Sequence, residues 1–186
     1  AALYAPLFET LDDLGVTRTD VAAATVFTTG DVIAELRDLS ERVVAAESVT
    51  IENVRLDSDG SDHERFCEYL AEVSMPQYQQ GTPPFDTEGR FAFDAEGMPI
   101  EQRRETALIH LTIPKMPMPE EGYPLMMYFH GSGGISSQVV DRGPAPEGGS
   151  PVPGLGPAHV VAREGIAAIG ASLPLSPDRL PGAEAT

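Results

Sequence analysis

The segment His130-Gly131-Ser132-Gly133-Gly134 is where this chain could do chemistry. It follows a short apolar run, so three glycines and a serine leave unhindered backbone N–H groups at the carboxyl end of a strand, where open α/β sheets bind ligands. Such a loop receives an anion or an oxyanion. A phosphate cradle needs a glycine loop ending in Gly-Lys-Ser/Thr, or Gly-x-Gly-x-x-Gly opening a helix, and neither occurs. The other chemistry-bearing residues read plainly. His63, His110 and His159 are too scattered for metal-ligand spacing, so zinc is unsupported and neither a metal nor a cofactor is expected. His63 reads as a surface residue, His110 as a satisfied residue within a strand, and His159 as the start of a helix. Asp57-Ser58-Asp59-Gly60-Ser61-Asp62 alternates carboxylates around a glycine, as calcium loops do, but lacks the bidentate Glu at the twelfth position. It reads as a solvated turn in preference to a calcium site. The lone Cys67 excludes an internal disulfide, and Met126-Met127 reads as core packing.

The elements that must position the glycine loop follow from periodicity. Sixteen of the seventeen prolines lie at Pro76 or beyond, which predicts a helical first third and a strand-and-loop remainder. Leu3, Leu7, Leu11 and Leu14 form a helical stripe that Gly15 closes. Thr25 to Thr29 reads as a short strand, and Val32, Leu36, Leu39 and Val43 as one face of a second helix. Residues 1–48 are expected to be a helical cover, and 49–186 the body. In the body, Thr50 to Leu56 keeps no strict period, Val73 to Tyr78 reads as an edge strand interrupted by proline, and Ala107 to Pro114 as a strand. Leu125 to Phe129 is apolar on both faces, as expected of a strand buried in mid-sheet with helices on either side. Ala158 to Glu164 reads as a helix and Ile166 to Ser172 as a second buried strand. That succession predicts a parallel crossover and an α/β architecture.

Composition removes whole classes of function. The 186 residues carry a net charge of −17, which repels phosphate backbones and anionic headgroups, and no basic cluster interrupts that field. Nucleic acid is therefore not an expected partner. No apolar run approaches the roughly 18 residues of a membrane span. The acidic, nearly Cys-free composition fits an exported bacterial protein, so an extracytoplasmic or secreted location is expected.

Tyr123-Pro124-Leu125-Met126-Met127-Tyr128-Phe129-His130-Gly131-Ser132-Gly133-Gly134 resembles the α/β-hydrolase superfamily, whose lipases and esterases carry a His-Gly loop that supplies oxyanion-hole N–H groups. Ala162-Arg163-Glu164-Gly165-Ile166 and Leu173 to Arg179 extend the likeness, and the N-terminal stretches are similar to the cover of bacterial extracellular lipase-like enzymes. The resemblance implies the N-terminal half of that fold, a mostly parallel sheet flanked by helices. It implies a serine carboxylic-ester hydrolase working through an acyl-enzyme, with Ser132 and Gly133 as backbone oxyanion donors and Gly131 and Gly134 shaping the loop. His130 would orient the loop through its ring rather than act as general base. No serine lies in Gly-x-Ser-x-Gly; Gly170-Ala171-Ser172-Leu173-Pro174 comes nearest and fails at its last position, so Ser172 reads as a strand-end residue. The triad of Ser, Asp and His is then expected from a second polypeptide segment, which would also complete the sheet. The substrate would be an ester or other acyl compound, with an amide as a further possibility. The rival expectation is a non-catalytic interaction module of similar architecture.

Overall fold

The computed structural model describes residues 4–27, 29–58 and 62–180, and the chain divides into two compact units, Ala1–Val44 and Ala45–Thr186. In the first, α1 (Ala5–Asp13) starts with Pro6, whose fixed φ suits a first helical turn. Gly15, at φ +67°, ends it in the left-handed conformation; its N–H bonds the Asp12 carbonyl, and the Val16 N–H bonds that of Leu11. The helix α2 (Val32–Ala46) is capped by Asp31, whose Oδ1 accepts the Ala34 N–H at 2.9 Å. Neither helix has a buried residue. Residues 25–27 form no strand, contrary to their β-branched composition, because no partner ladder reaches them among the described residues; Thr28 lies outside those.

The second unit is built on one five-stranded sheet of order β1-β2-β3-β5-β4. The strands are β1 (Ile51–Leu56), β2 (Phe66–Gln77), β3 (Arg103–Pro114), β4 (Leu125–Tyr128) and β5 (Ala167–Ala171). Pairings β1–β2, β2–β3 and β3–β5 are antiparallel, and only β4–β5 is parallel. This overturns the expected N-terminal half of an α/β-hydrolase fold: the sheet is mixed and mostly antiparallel, with few helices. The physical reason lies in the connections. Among the described residues only β4 and β5 are joined through helices, α3 (Gln138–Asp141) and α4 (Pro157–Ala162), and a parallel pair needs such a crossover, whereas strands that return directly pair antiparallel.

Register sorts the side chains onto two faces. Glu68, Thr112, Ala168 and Met126 stand in one row across the sheet, and Leu70, His110, Gly170 and Tyr128 in the next. On this face Phe66 and Ala168 pack with Val139 and Val140 of α3 and Ala158 and Ala162 of α4. The opposite face buries Ala71, Val73, Ala107 and Ile109, a cluster without any helix residue.

Two local expectations change for stated reasons. Leu125 to Phe129 is not a mid-sheet strand: β4 is an edge, with Met126 and Tyr128 packed on the helix face while Leu125 (54% exposed), Met127 (59%) and Phe129 (67%) face outward. Continuous apolarity specifies that both faces could be covered, not that they are. Val73 to Gln77 is the end of the 12-residue β2, which lies between β1 and β3. Pro76 is accommodated there because β1 pairs no further than Val73, so the missing N–H leaves no ladder position empty on that side.

Candidate functional site

The glycine loop leaves β4 as a tight turn in which the Gly134 N–H bonds the Gly131 carbonyl at 3.0 Å. Gly133 occupies its third position at φ +74°, where a side chain would be strained. The Gly133 N–H has no acceptor among the described residues, and Ser132 and Gly131 are exposed. Gly134 is buried for a different reason. A Cβ there would stand 2.7 Å from the His130 Cβ and 2.8 Å from both His130 Nδ1 and Gln138 Oε1, so only glycine lets the turn close over the imidazole.

His130 is 8% exposed and uses both ring nitrogens. Its Nε2 accepts the Leu173 N–H at 3.2 Å, which leaves the proton on Nδ1 to donate to the Gly131 carbonyl at 2.9 Å. The ring therefore ties the end of β4 to the segment that follows β5. In this arrangement neither nitrogen is available as a base.

That segment, 173–180, is tied to the same loop at further points. Ser176 Oγ donates to the Gly134 carbonyl at 3.1 Å. Asp178 Oδ2 accepts three hydrogen bonds: from the Ser136 N–H at 3.1 Å, the Ser136 hydroxyl at 2.8 Å and the Ser172 hydroxyl at 2.7 Å. Burial works against ionisation of this carboxyl, but those donors, helped by the charge of His110, hold it below the ordinary Asp range. Arg179 donates to the Ser172 carbonyl at 3.1 Å and makes a short ion pair with Glu105, which Arg103 also contacts. For Glu105 the desolvation is likewise outweighed by its two arginines, so its carboxyl also lies low. The hydroxyls of Ser136, Ser172 and Ser176 are all engaged, and no histidine nitrogen bonds any of them. Among the described residues no serine–histidine pair is assembled for nucleophilic attack.

A second polar group lies on the helix face of the sheet, and sequence spacing does not disclose it. Glu68, 4% exposed, extends Oε1 to His110 Nδ1 at 2.7 Å and Oε2 to His63 Nε2 at 2.8 Å. Glu68 and His110 meet diagonally because Glu68 pairs with Thr112, two residues away on β3. Asp57, just past β1, donates its N–H to the Glu68 carbonyl at 3.2 Å. Ligand atoms of Asp57, Glu68 and His110 all lie within 4.8 Å of one another. His63 is not a surface residue: its ring stacks on Phe66 at 4.4 Å between centroids and is covered by the backbone of Gly154. Of the acidic loop 57–62, residues 59–61 lie outside the described residues; Asp62 pairs with Lys115 at 2.6 Å. Elsewhere a cleft of about 490 Å³, lined by Gln79, Gln80, Phe85, Asp86, Glu88 and Arg90 among others, contains no histidine, serine or cysteine.

Comparison with protein-family models, with curated proteins and with solved structures found no match. The α/β-hydrolase resemblance does not stand. It rested on one sharp motif of five residues, and neither a family model nor a parallel, helix-flanked sheet accompanies it. No helix among the described residues is long and apolar enough to cross a membrane.

Proposed function

We propose that this chain supplies the oxyanion-binding loop of a serine carboxylic-ester hydrolase, the nucleophile, acid and base being carried by a second polypeptide segment. The observation behind the reading is the Gly133 amide: a backbone donor without an acceptor, at φ +74°, in a turn pinned by His130 at the carboxyl end of β4. In the reaction the serine oxygen bonds the acyl carbon while its proton passes to the histidine. The carbonyl oxygen, now an oxyanion, is met by the N–H groups at Ser132 and Gly133. The leaving alkoxide takes the proton, and water then releases the acid from the acyl-enzyme. A single preorganised donor of this kind contributes about 3–4 kcal/mol to the transition state.

The involvement of a second segment is supported by two features. Every hydroxyl near the loop for which a bond is described already donates elsewhere, and among the described residues β4 is an open edge whose apolar side chains Leu125, Met127 and Phe129 face outward. The same open edge favours one alternative, a non-catalytic module that binds a partner along β4. Labelling with a fluorophosphonate probe, followed by intact masses of every band, separates the two. A labelled second polypeptide beside an unlabelled 19.8 kDa chain is the result expected of the hydrolase. Absence of both label and second polypeptide gives the binding module.

A further inference from the structure

We propose that Asp57, Glu68 and His110 form a binding site for one divalent transition-metal ion of the zinc class, which clamps the end of β1 to the middle strands β2 and β3, with His63 positioning the Glu68 carboxylate. The donors converge from three neighbouring chain segments. Asp57, Glu68 and His110 place ligand atoms within 4.8 Å of one another, and His63 brings Nε2 to 2.8 Å from the second oxygen of Glu68. Ligands at about 2.0–2.2 Å from a tetrahedral ion stand roughly 3.3–3.6 Å apart, which small side-chain adjustments reach from three ligand atoms within 4.8 Å of one another.

The chemistry of the donors supplies a second argument. Glu68 is only 4% exposed and is held at both carboxylate oxygens by imidazoles, His110 at 2.7 Å and His63 at 2.8 Å. The donor set selects the class of ion, since imidazole nitrogen with carboxylate oxygen suits zinc and its neighbours, whereas calcium and magnesium take oxygen-rich sets. Binding requires the facing nitrogen of His110 to be unprotonated, the ion taking the place of its proton.

The site is prepared by backbone rather than by the ion. Strand pairing holds Asp57, Glu68 and His110 across adjacent positions, while Phe66 and Gly154 hold the His63 ring. Three protein ligands leave one position of a tetrahedral ion to water. The test uses the full chain stripped with EDTA and titrated calorimetrically at neutral pH with zinc chloride and, in parallel, calcium chloride. One Zn²⁺ per chain is expected, with Tm raised by about 5–10 °C at hundred-fold excess over Kd. Asp57→Asn and His63→Gln should each weaken Zn²⁺ binding by about tenfold or more. Cobalt substitution should give the visible bands of a four-coordinate site, and His110→Gln should abolish them. No Zn²⁺ binding by the folded protein overturns the proposal, as does binding that Asp57→Asn and His63→Gln both leave unchanged, or a preference for Ca²⁺. If His110→Gln does not fold, Asp57→Asn, at the half-buried end of the cluster, still decides between these outcomes.

Discussion

Two glycines three residues apart in the same loop should respond oppositely to a single methyl group. In Gly134→Ala the new Cβ would lie 2.7 Å from the His130 Cβ and 2.8 Å from its Nδ1, whereas a Cβ at Gly131 meets nothing within 4 Å. Ordinary contact begins near 3.4 Å, so the imidazole of Gly134→Ala must retreat by several tenths of an ångström. His130 is 8% exposed and held at both nitrogens, so the retreat lengthens the bond to the Gly131 carbonyl and the one from the Leu173 N–H. A hydrogen bond contributes about 0.5–1.5 kcal/mol, and a buried group left unpaired costs about 1–3 kcal/mol. Together these give a loss of about 3 kcal/mol, or a Tm lowered by about 6–12 °C. Gly131→Ala, which is not in the left-handed region, should stay within about 0.5 kcal/mol of the parent or gain slightly from reduced unfolded-state entropy. Urea unfolding followed by circular dichroism measures both. In the double variant Gly134→Ala with His130→Ala the two losses should be strongly sub-additive, because the group that clashes is gone. Equal midpoints for Gly131→Ala and Gly134→Ala would refute the role assigned to the His130 contact.

Four further outcomes are expected. Gly133→Val should lower ester turnover by about 10²–10³-fold with little change in ester binding, measured as kcat and KM on the assembled enzyme; retained kcat would sink the oxyanion assignment. Ser172→Ala should leave turnover and fluorophosphonate labelling intact while costing about 1 kcal/mol in urea unfolding, since its hydroxyl serves Asp178. Gly154→Ala combines a φ of +76° with a Cβ 2.3 Å from His63 Nδ1, so it should destabilise by about 2–4 kcal/mol; a stability scan showing no change would free the 142–157 loop from any part in holding His63. Asp178 has its carboxyl held below its ordinary value of 3.8, so its contribution is complete above that value and disappears as pH falls through the lower folded-state value. Asp178→Asn should therefore cost about 1–2 kcal/mol at pH 7, solvent screening of the exposed side chain included. Stability curves of parent and variant should converge below about pH 3.8, and a gap that persists in acid would contradict the account.

Much of the local structure follows from composition and periodicity. Gly15 ends α1 with the left-handed φ that its place after Leu14 predicts, and strands occur at 107–114, 125–128 and 167–171 where apolar runs announce them. The strand β1 is less legible because a register shift between Glu52 and Arg55, with Asn53 at φ +53°, breaks the two-residue period. The first half of β2 escapes notice because its inward positions include Glu68, a residue whose burial depends on partners that come from elsewhere in the chain.

From the sequence alone came the glycine turn after an apolar strand, the strong net acidity, and the absence of a Gly-x-Ser-x-Gly elbow. These are properties of neighbouring residues, and local sterics and charge are enough to determine them. Tertiary structure decided the rest: that β4 is an edge, that the sheet is mostly antiparallel, that Asp178 gathers Ser136 and Ser172, and that His63, Glu68 and His110 meet. Each depends on which strands pair and in what register. Glu68 and His110 are 42 residues apart in the chain, and only the β2–β3 ladder makes them neighbours.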